Sequence, residues 1–134
     1  VKYETYAKEI NVEARAMIDI AAKQIIPAVI KYAKHLADAI ISIQTILGMD
    51  VSVETELLKE TTKLLRESQT ALKILQEKTE AASLIENNER QARYYHDEVN
   101  TAMEALRKPI DQLEMIVDKE MWPMPSYGDL MFEV

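Results

Sequence analysis

Apolar residues recur at steps of three and four along most of this 134-residue chain, the spacing that keeps side chains on one face of a helix. From Ile18 the row runs through Ala22, Ile25, Val29, Tyr32, Leu36, Ala39 and Ile43 to Ile46. Ala14, Met17, Ala21, Ala28, Ile40 and Leu47 lie beside it and widen it, as a helix packed against more than one neighbour requires. Pro27 removes one backbone bond, but the apolar register continues on both sides, so the pattern predicts a kink rather than a stop. Gly48 supplies the left-handed residue that ends the helix. Upstream, Tyr3, Tyr6 and Ile10 fall at helical spacing and predict a short lead-in helix. Asn11 is then the expected cap of a new start, with Glu13 in its first turn.

Two more rows follow. The second reads Leu58, Thr61, Leu65, Ser68, Leu72, Leu75, Thr79 and Ala82, broadened by Leu57, Leu64, Ala71 and Ile74. It predicts a helix over 53–86, roughly 50 Å long at about 1.5 Å per residue, with Asp50 or Ser52 as its N-cap. Thr61, Ser68 and Thr79 are expected to bond back to their own helix. After a break at Asn87 and Asn88, the third row is Ala92, His96, Val99, Met103, Leu106, Ile110, Leu113 and Val117, with a second kink expected at Pro109. Three long helices on short connections run up, down and up. The expected fold is therefore all-α, an elongated antiparallel three-helix bundle over residues 1–121.

Residues 122–134 differ in kind. Pro123 and Pro125 forbid a regular helix and favour an extended path, and large apolar or aromatic side chains are dense. Trp122, Pro123, Pro125, Tyr127, Leu130 and Phe132 are candidate interface residues. They either cover one end of the bundle or pack on another domain or subunit.

Composition narrows the function classes. A net charge of −7 makes nucleic acid and anionic membranes unnatural partners. No stretch approaches the ~20 apolar residues of a membrane span. The absence of cysteine excludes disulfides and thiolate chemistry, and fits a reducing cytoplasm. The chain opens on Val1 rather than methionine, and directly in a helical pattern, which reads as a piece of something larger.

No residue pattern here makes an active site. His35 borders the first row and His96 falls on the third, but neither has a glutamate three residues before it, the pairing a metal site in a bundle core uses. The two glycines, Gly48 and Gly128, form no phosphate loop. Glu60 with Lys63 and Lys73 with Glu77 are ordinary surface pairs. Arg90, Arg93 and Arg107 are surrounded by carboxylates. Tyr94 and Tyr95 read as boundary aromatics. Catalytic, cofactor-binding and metal-binding residues are therefore expected to be absent from this chain.

The ending from Trp122 to Leu130, Trp-Pro-Met-Pro-Ser-Tyr-Gly-Asp-Leu, resembles the terminal signature of type III glutamine synthetases, the large-subunit bacterial and archaeal class. Similar segments are Asn11-Val-Glu-Ala, Met17-Ile-Asp, Ile25-Ile-Pro-Ala, and Ala102-Met-Glu-Ala-Leu-Arg leading to Leu113-Glu. The chain departs from the family at Asn100-Thr101, where a proline is usual, and at Met124, where an aromatic is usual. The resemblance implies a cytoplasmic parent that joins ammonia to glutamate with ATP and a divalent metal such as Mg. It implies assembly as two stacked hexameric rings, with the catalytic residues upstream of the matched region. This chain would then be a non-catalytic C-terminal accessory or assembly domain, its partners the rest of the subunit and its homo-oligomer. The alternative is a stand-alone helical-bundle interaction module.

Overall fold

The computed structural model of the chain describes residues 2–124, and among them all regular structure is helical. Three rods form. The first comprises α1 (Tyr3–Ile20), a π-helical turn (Ala21–Ile25) and α2 (Ile26–Leu47). The second is α3 (Ser52–Ser83). The third comprises α4 (Asn88–Tyr94), a second π-helical turn (Tyr95–Val99) and α5 (Asn100–Ile116).

The first rod corrects the sequence reading. There is no separate lead-in helix, because helix runs unbroken from Tyr3. Asn11 is not a cap; it lies within α1, and its side chain accepts hydrogen bonds from Arg15 Nε and from the Tyr95 hydroxyl, both at 3.1 Å. A capping residue is overruled when apolar residues continue the helical face on both sides of it, as Ala7, Ile10 and Ala14 do here. Pro27 stands at the start of α2, directly after the first π turn, where the Ile26 N–H donates to the carbonyl of Ala21. Proline has no N–H to close an ordinary turn on residue 23, and its ring crowds that turn's carbonyl. A wider turn immediately upstream accommodates both. Neither Pro27 nor the buried Pro109 ends its helix.

Helix ends follow local chemistry. Gly48 adopts φ 60° and closes α2 with its N–H on the Gln44 carbonyl. Asn87 caps α4, its side chain accepting from the Arg90 N–H at 3.0 Å. At α3 the cap position belongs to Val51, while Asp50 accepts from both the N–H and the hydroxyl of Ser52.

Cross-rod bonds fix the topology. Tyr3 meets Glu89, Tyr95 meets Asn11, and Asn100 donates to the Tyr6 hydroxyl, so the first and third rods run parallel with their starts side by side. The second rod runs back between them. One core cluster joins Ala7, Ile10, Ala14 and Ala21 to Leu72, Leu75 and Ala82, and to Tyr95, Val99 and Leu106. A second joins Ile25 and Val29 to Leu64, Leu113 and Val117, with Trp122 packed against it. Alanine is common in the first cluster, which lets the helix backbones approach closely, and large aliphatics fill what remains.

The buried row of the third rod also differs from expectation. Tyr95 and Val99 are buried and His96 is exposed, so Tyr95 takes the core position expected of His96. The change falls within the second π turn, which alters the angular step between successive residues. Of the three polar row members, Thr61 does bond back to the Leu57 carbonyl at 2.7 Å. The hydroxyls of Ser68 and Thr79 are buried with no hydrogen-bond partner among the described residues.

Candidate interaction surface

The three rods are unequal in length, and that inequality creates the most distinctive surface. The third rod ends at Ile116, where Val117 turns extended (φ −69°, ψ 140°) beside Val29 and Leu64. The first rod continues past Val29 for a further 18 residues of α2, about 27 Å at 1.5 Å per residue. Among the described residues it has only α3 for company there. Between Val29 and Thr61 the one buried residue is Val51, in the connection. The distal parts of α2 and α3 therefore form a two-helix arm. Leu36, Ile40, Ile43 and Leu58 are only half-buried within it.

The arm exposes large apolar side chains. Ile41, Ile46, Leu47, Met49, Val53 and Leu57 are all exposed, Ile46 to 77%. Expectation had placed Ile46 and Leu57 in the core; both lack the third wall that would bury them. Single exposed apolar residues are unremarkable, but several gathered at one end mark an interaction site. Residues 39–49 also carry no charge, in a chain with 29% charged residues and a net charge of −7. Residues 39–49 are thus a neutral apolar stretch on an acidic molecule, bounded by Asp38 and Asp50, so contact through them desolvates little charge. Fully covering each large side chain is worth about 1.5–3 kcal/mol before the costs of association.

Trp122 is half-buried against the second core cluster, after a turn in which the Met121 and Trp122 N–H groups both donate to the Asp118 carbonyl. Its indole N–H is buried without an acceptor among the described residues, which costs about 1–3 kcal/mol if nothing completes it. Pro123 is exposed. Pro125, Tyr127, Leu130 and Phe132 lie outside the described residues.

The ionisable groups do structural work. Burial pushes the Tyr95 phenol above its ordinary range, opposed by the nearby Arg15. Burial, and secondarily the Asp118 carboxylate, raises Tyr32. Lys78 bridges two rods by pairing with Glu98 at 3.1 Å, and its ammonium lies 6.0 Å from the centre of the Tyr94 ring. His96 pairs with its neighbour Asp97 at 2.9 Å, and His35 is exposed on the arm. Among the described residues no three His, Asp, Glu or Cys side chains come together to hold a metal. The donor set therefore does not fit the divalent metal that the resemblance implies for the parent. Among the same residues, no helix is long and apolar enough to cross a membrane.

Residues 1–44 match the family described as the glutamine synthetase C-terminal domain. Over 137 aligned positions the chain is 31% identical to a glutamine synthetase of Bacteroides fragilis (strain YCH46), covering 98% of this chain and 19% of that protein. A glutamine synthetase of Butyrivibrio fibrisolvens is 29% identical, and a type-3 glutamine synthetase of Dictyostelium discoideum is 25% identical, with the same coverage of each partner. The chain thus spans about a fifth of the length of these relatives. Over nearly its whole length it is similar to glutamine synthetases, and its first 44 residues match their C-terminal domain.

Proposed function

We propose that this chain is the non-catalytic C-terminal accessory domain of a cytoplasmic type III glutamine synthetase, and that its two-helix arm docks on another part of that enzyme. The parent reaction joins ammonia to glutamate at the expense of ATP. On this reading ATP and the divalent metal bind elsewhere in the parent, since the described residues of this chain offer no converging ligands for the metal. The arm's target is the rest of the subunit or a neighbouring subunit within two stacked hexameric rings. Bends at Pro27 and Pro109 would aim the arm and the chain end relative to the core. The bundle over 1–121 and the segment 122–134 would then act as a rigid body and a trailing contact.

The observation that carries this reading is the uncharged apolar stretch 39–49 at the arm's tip, which has no covering partner among the described residues. The test introduces Ile46→Glu and Met49→Glu together into the full-length polypeptide that contains this chain. Assembly is followed by sedimentation velocity, and glutamine formation by product assay. Smaller particles are expected, because two charges at a buried contact cannot be desolvated cheaply. The isolated 134-residue chain should form no glutamine. Intact assembly in the double variant would place the contact elsewhere, and glutamine formation by the isolated chain would overturn the non-catalytic assignment.

A further inference from the structure

Charge is distributed unevenly along the two-helix arm. Its inner half, 31–38 of α2 beside 59–66 of α3, carries five basic residues and two acidic ones, a net charge of +3. These two segments are neighbours, since Tyr32 and Leu65 pack on the same core cluster. Its outer half, 39–58, carries Asp50, Glu54 and Glu56 and no basic residue, a net charge of −3. The arm is therefore neutral as a whole but oppositely charged at its two ends. We propose that the arms of two copies of this chain pack antiparallel about a two-fold axis as a four-helix bundle, each acidic outer half beside the other's basic inner half.

The apolar surface has the shape that such a bundle needs. In the second core cluster Val29 and Tyr32 of the first rod, and Leu64 of α3, pack with Leu113 and Val117 of the third. Those stripes continue outward at steps of three and four. They lead to Leu36, Ala39, Ile43 and Ile46 on α2, and through the half-buried Glu60 to Leu57 and Val53 on α3. The third rod ends before that level, so the stripes line an open face where a further helix layer fits. A second arm fills that face and presents an identical one in return, as a two-fold contact requires. The other apolar surface, a groove of about 300 Å³ between α1 and α5, includes Glu13 and Arg107 in its lining and offers no comparable face.

Electrostatics selects both the partner and its orientation. Residues outside 31–66 carry the whole net charge of −7, so contacts between copies through them bring like charges together. Lys31, Lys63 and Arg66 are exposed on the inner half and form no ion pair among the described residues. An antiparallel second arm sets its Asp50, Glu54 and Glu56 alongside them. A parallel arrangement sets acid on acid and base on base, which disfavours it. Two helices of about 10 Å diameter and about 27 Å length, side by side, present a face of roughly 540 Å². That is below the ~800 Å² per partner of a standard stable interface. Isolated chains therefore pair weakly and are monomeric in a dilute unfolding titration, whereas an assembly that holds two arms close strengthens the contact by effective concentration. The pairing rests on the reading of the arm as a docking surface and requires no particular activity of the parent.

Sedimentation equilibrium of the 134-residue chain, from micromolar to millimolar in low salt, tests it. Dimer should accumulate with concentration, and Ile46→Glu should abolish it. One charge variant reverses the inner half, Lys31→Glu with Lys63→Glu, and another reverses the outer half, Glu54→Lys with Glu56→Lys. Each alone should pair about tenfold more weakly than the native chain, with helical circular dichroism retained. An equimolar mixture of the two should recover native pairing, because every acidic half again meets a basic one. Undiminished pairing of the Lys31→Glu, Lys63→Glu chain, no recovery in the mixture, or dimer that persists in Ile46→Glu would each overturn the antiparallel arm pair. So would a native chain that stays monomeric throughout. If the Ile46→Glu, Met49→Glu double variant nonetheless breaks up the full-length assembly, the arm docks on a different part of the parent, and only the pairing of arms is lost.

Discussion

Replacing Leu75 and Ile46 by alanine, one at a time, tests the division of this molecule into core and arm. Both belong to apolar rows that look alike in sequence. Leu75 is fully buried, in a cluster rich in small residues that includes Ala14, Ala21, Ala71, Ala82 and Ala102. Leu75→Ala removes three carbons, worth about 0.8 kcal/mol each in transfer free energy, or roughly 2.4 kcal/mol. Alanines cannot rotate into the space left, so most of the cavity persists and the total should reach about 3–5 kcal/mol. Ile46 is 77% exposed. Its truncation creates no cavity and slightly improves helix propensity, so Ile46→Ala should stay within about 0.5 kcal/mol. The measurement is urea unfolding of the 134-residue chain followed by circular dichroism, with the slope m unchanged between variants. A gap of about 3 kcal/mol corresponds to roughly 10 °C in Tm for a chain of this size. Equal costs at the two sites would refute the architecture. A cost above about 2 kcal/mol at Ile46 would mean that the arm is covered within the chain itself.

Three further outcomes follow from individual contacts. Gly48→Ala should cost about 1–2 kcal/mol in thermal unfolding, purely from the left-handed backbone at φ 60°, since an added Cβ meets nothing within 4 Å; Gly48→Asn should recover part of that loss. Ser68→Ala should be neutral or stabilising by up to about 1 kcal/mol in urea titration, because it removes a buried hydroxyl with no hydrogen-bond partner among the described residues; a loss above that would reveal a bond the hydroxyl makes. The Tyr95 phenol is held above its ordinary range by burial, so the folded state resists its ionisation. Its contribution to stability is complete below about pH 10, and is lost as pH rises through the elevated folded value. Tyr95→Phe should cost about 1 kcal/mol at neutral pH through loss of the bond to Asn11, and should flatten the alkaline fall in the urea midpoint. An alkaline limb as steep as before would assign that fall to another group.

Much of the fold was readable in sequence because its determinants are local. Gly48 and Asn87 ended and began helices through the chemistry of one residue each, and the apolar rows gave the number and sense of the rods. The resemblance in the Trp122–Leu130 ending and in the scattered helical segments pointed to the family that the comparisons found. What failed was non-local or subtle. Asn11 reads as a cap in isolation, and only its pairing with Tyr95, 84 positions away, shows why it sits inside α1. Tyr95 and His96 are adjacent, and a strict α-helical step selects His96; the π turn that favours Tyr95 leaves no compositional mark. The arm was missed for a different reason. Ile40 to Leu47 repeats the pattern of a buried row, and pattern alone says nothing about whether a third rod reaches that level. A signal was present in the lengths: helical spacing begins at Tyr3 in the first rod and runs on to Leu47, while the third has proline and tryptophan soon after Val117.

The groove between α1 and α5 and the two-helix arm are different kinds of surface, and their chemistry separates them. The groove between α1 and α5 is lined by Met17, Ile20, Ile25, Met103 and Ile110, together with the charged Glu13 and Arg107. The arm is the reverse. It projects beyond the level at which the third rod ends, on two helices whose inner seam is only half-buried. An antiparallel helix pair left in water with Ile41, Ile46, Leu47, Met49 and Val53 exposed gains nothing from that exposure. Free energy is gained when a broad, uncharged surface is laid against it, which is the contact that the Ile46→Glu and Met49→Glu double variant is designed to disrupt.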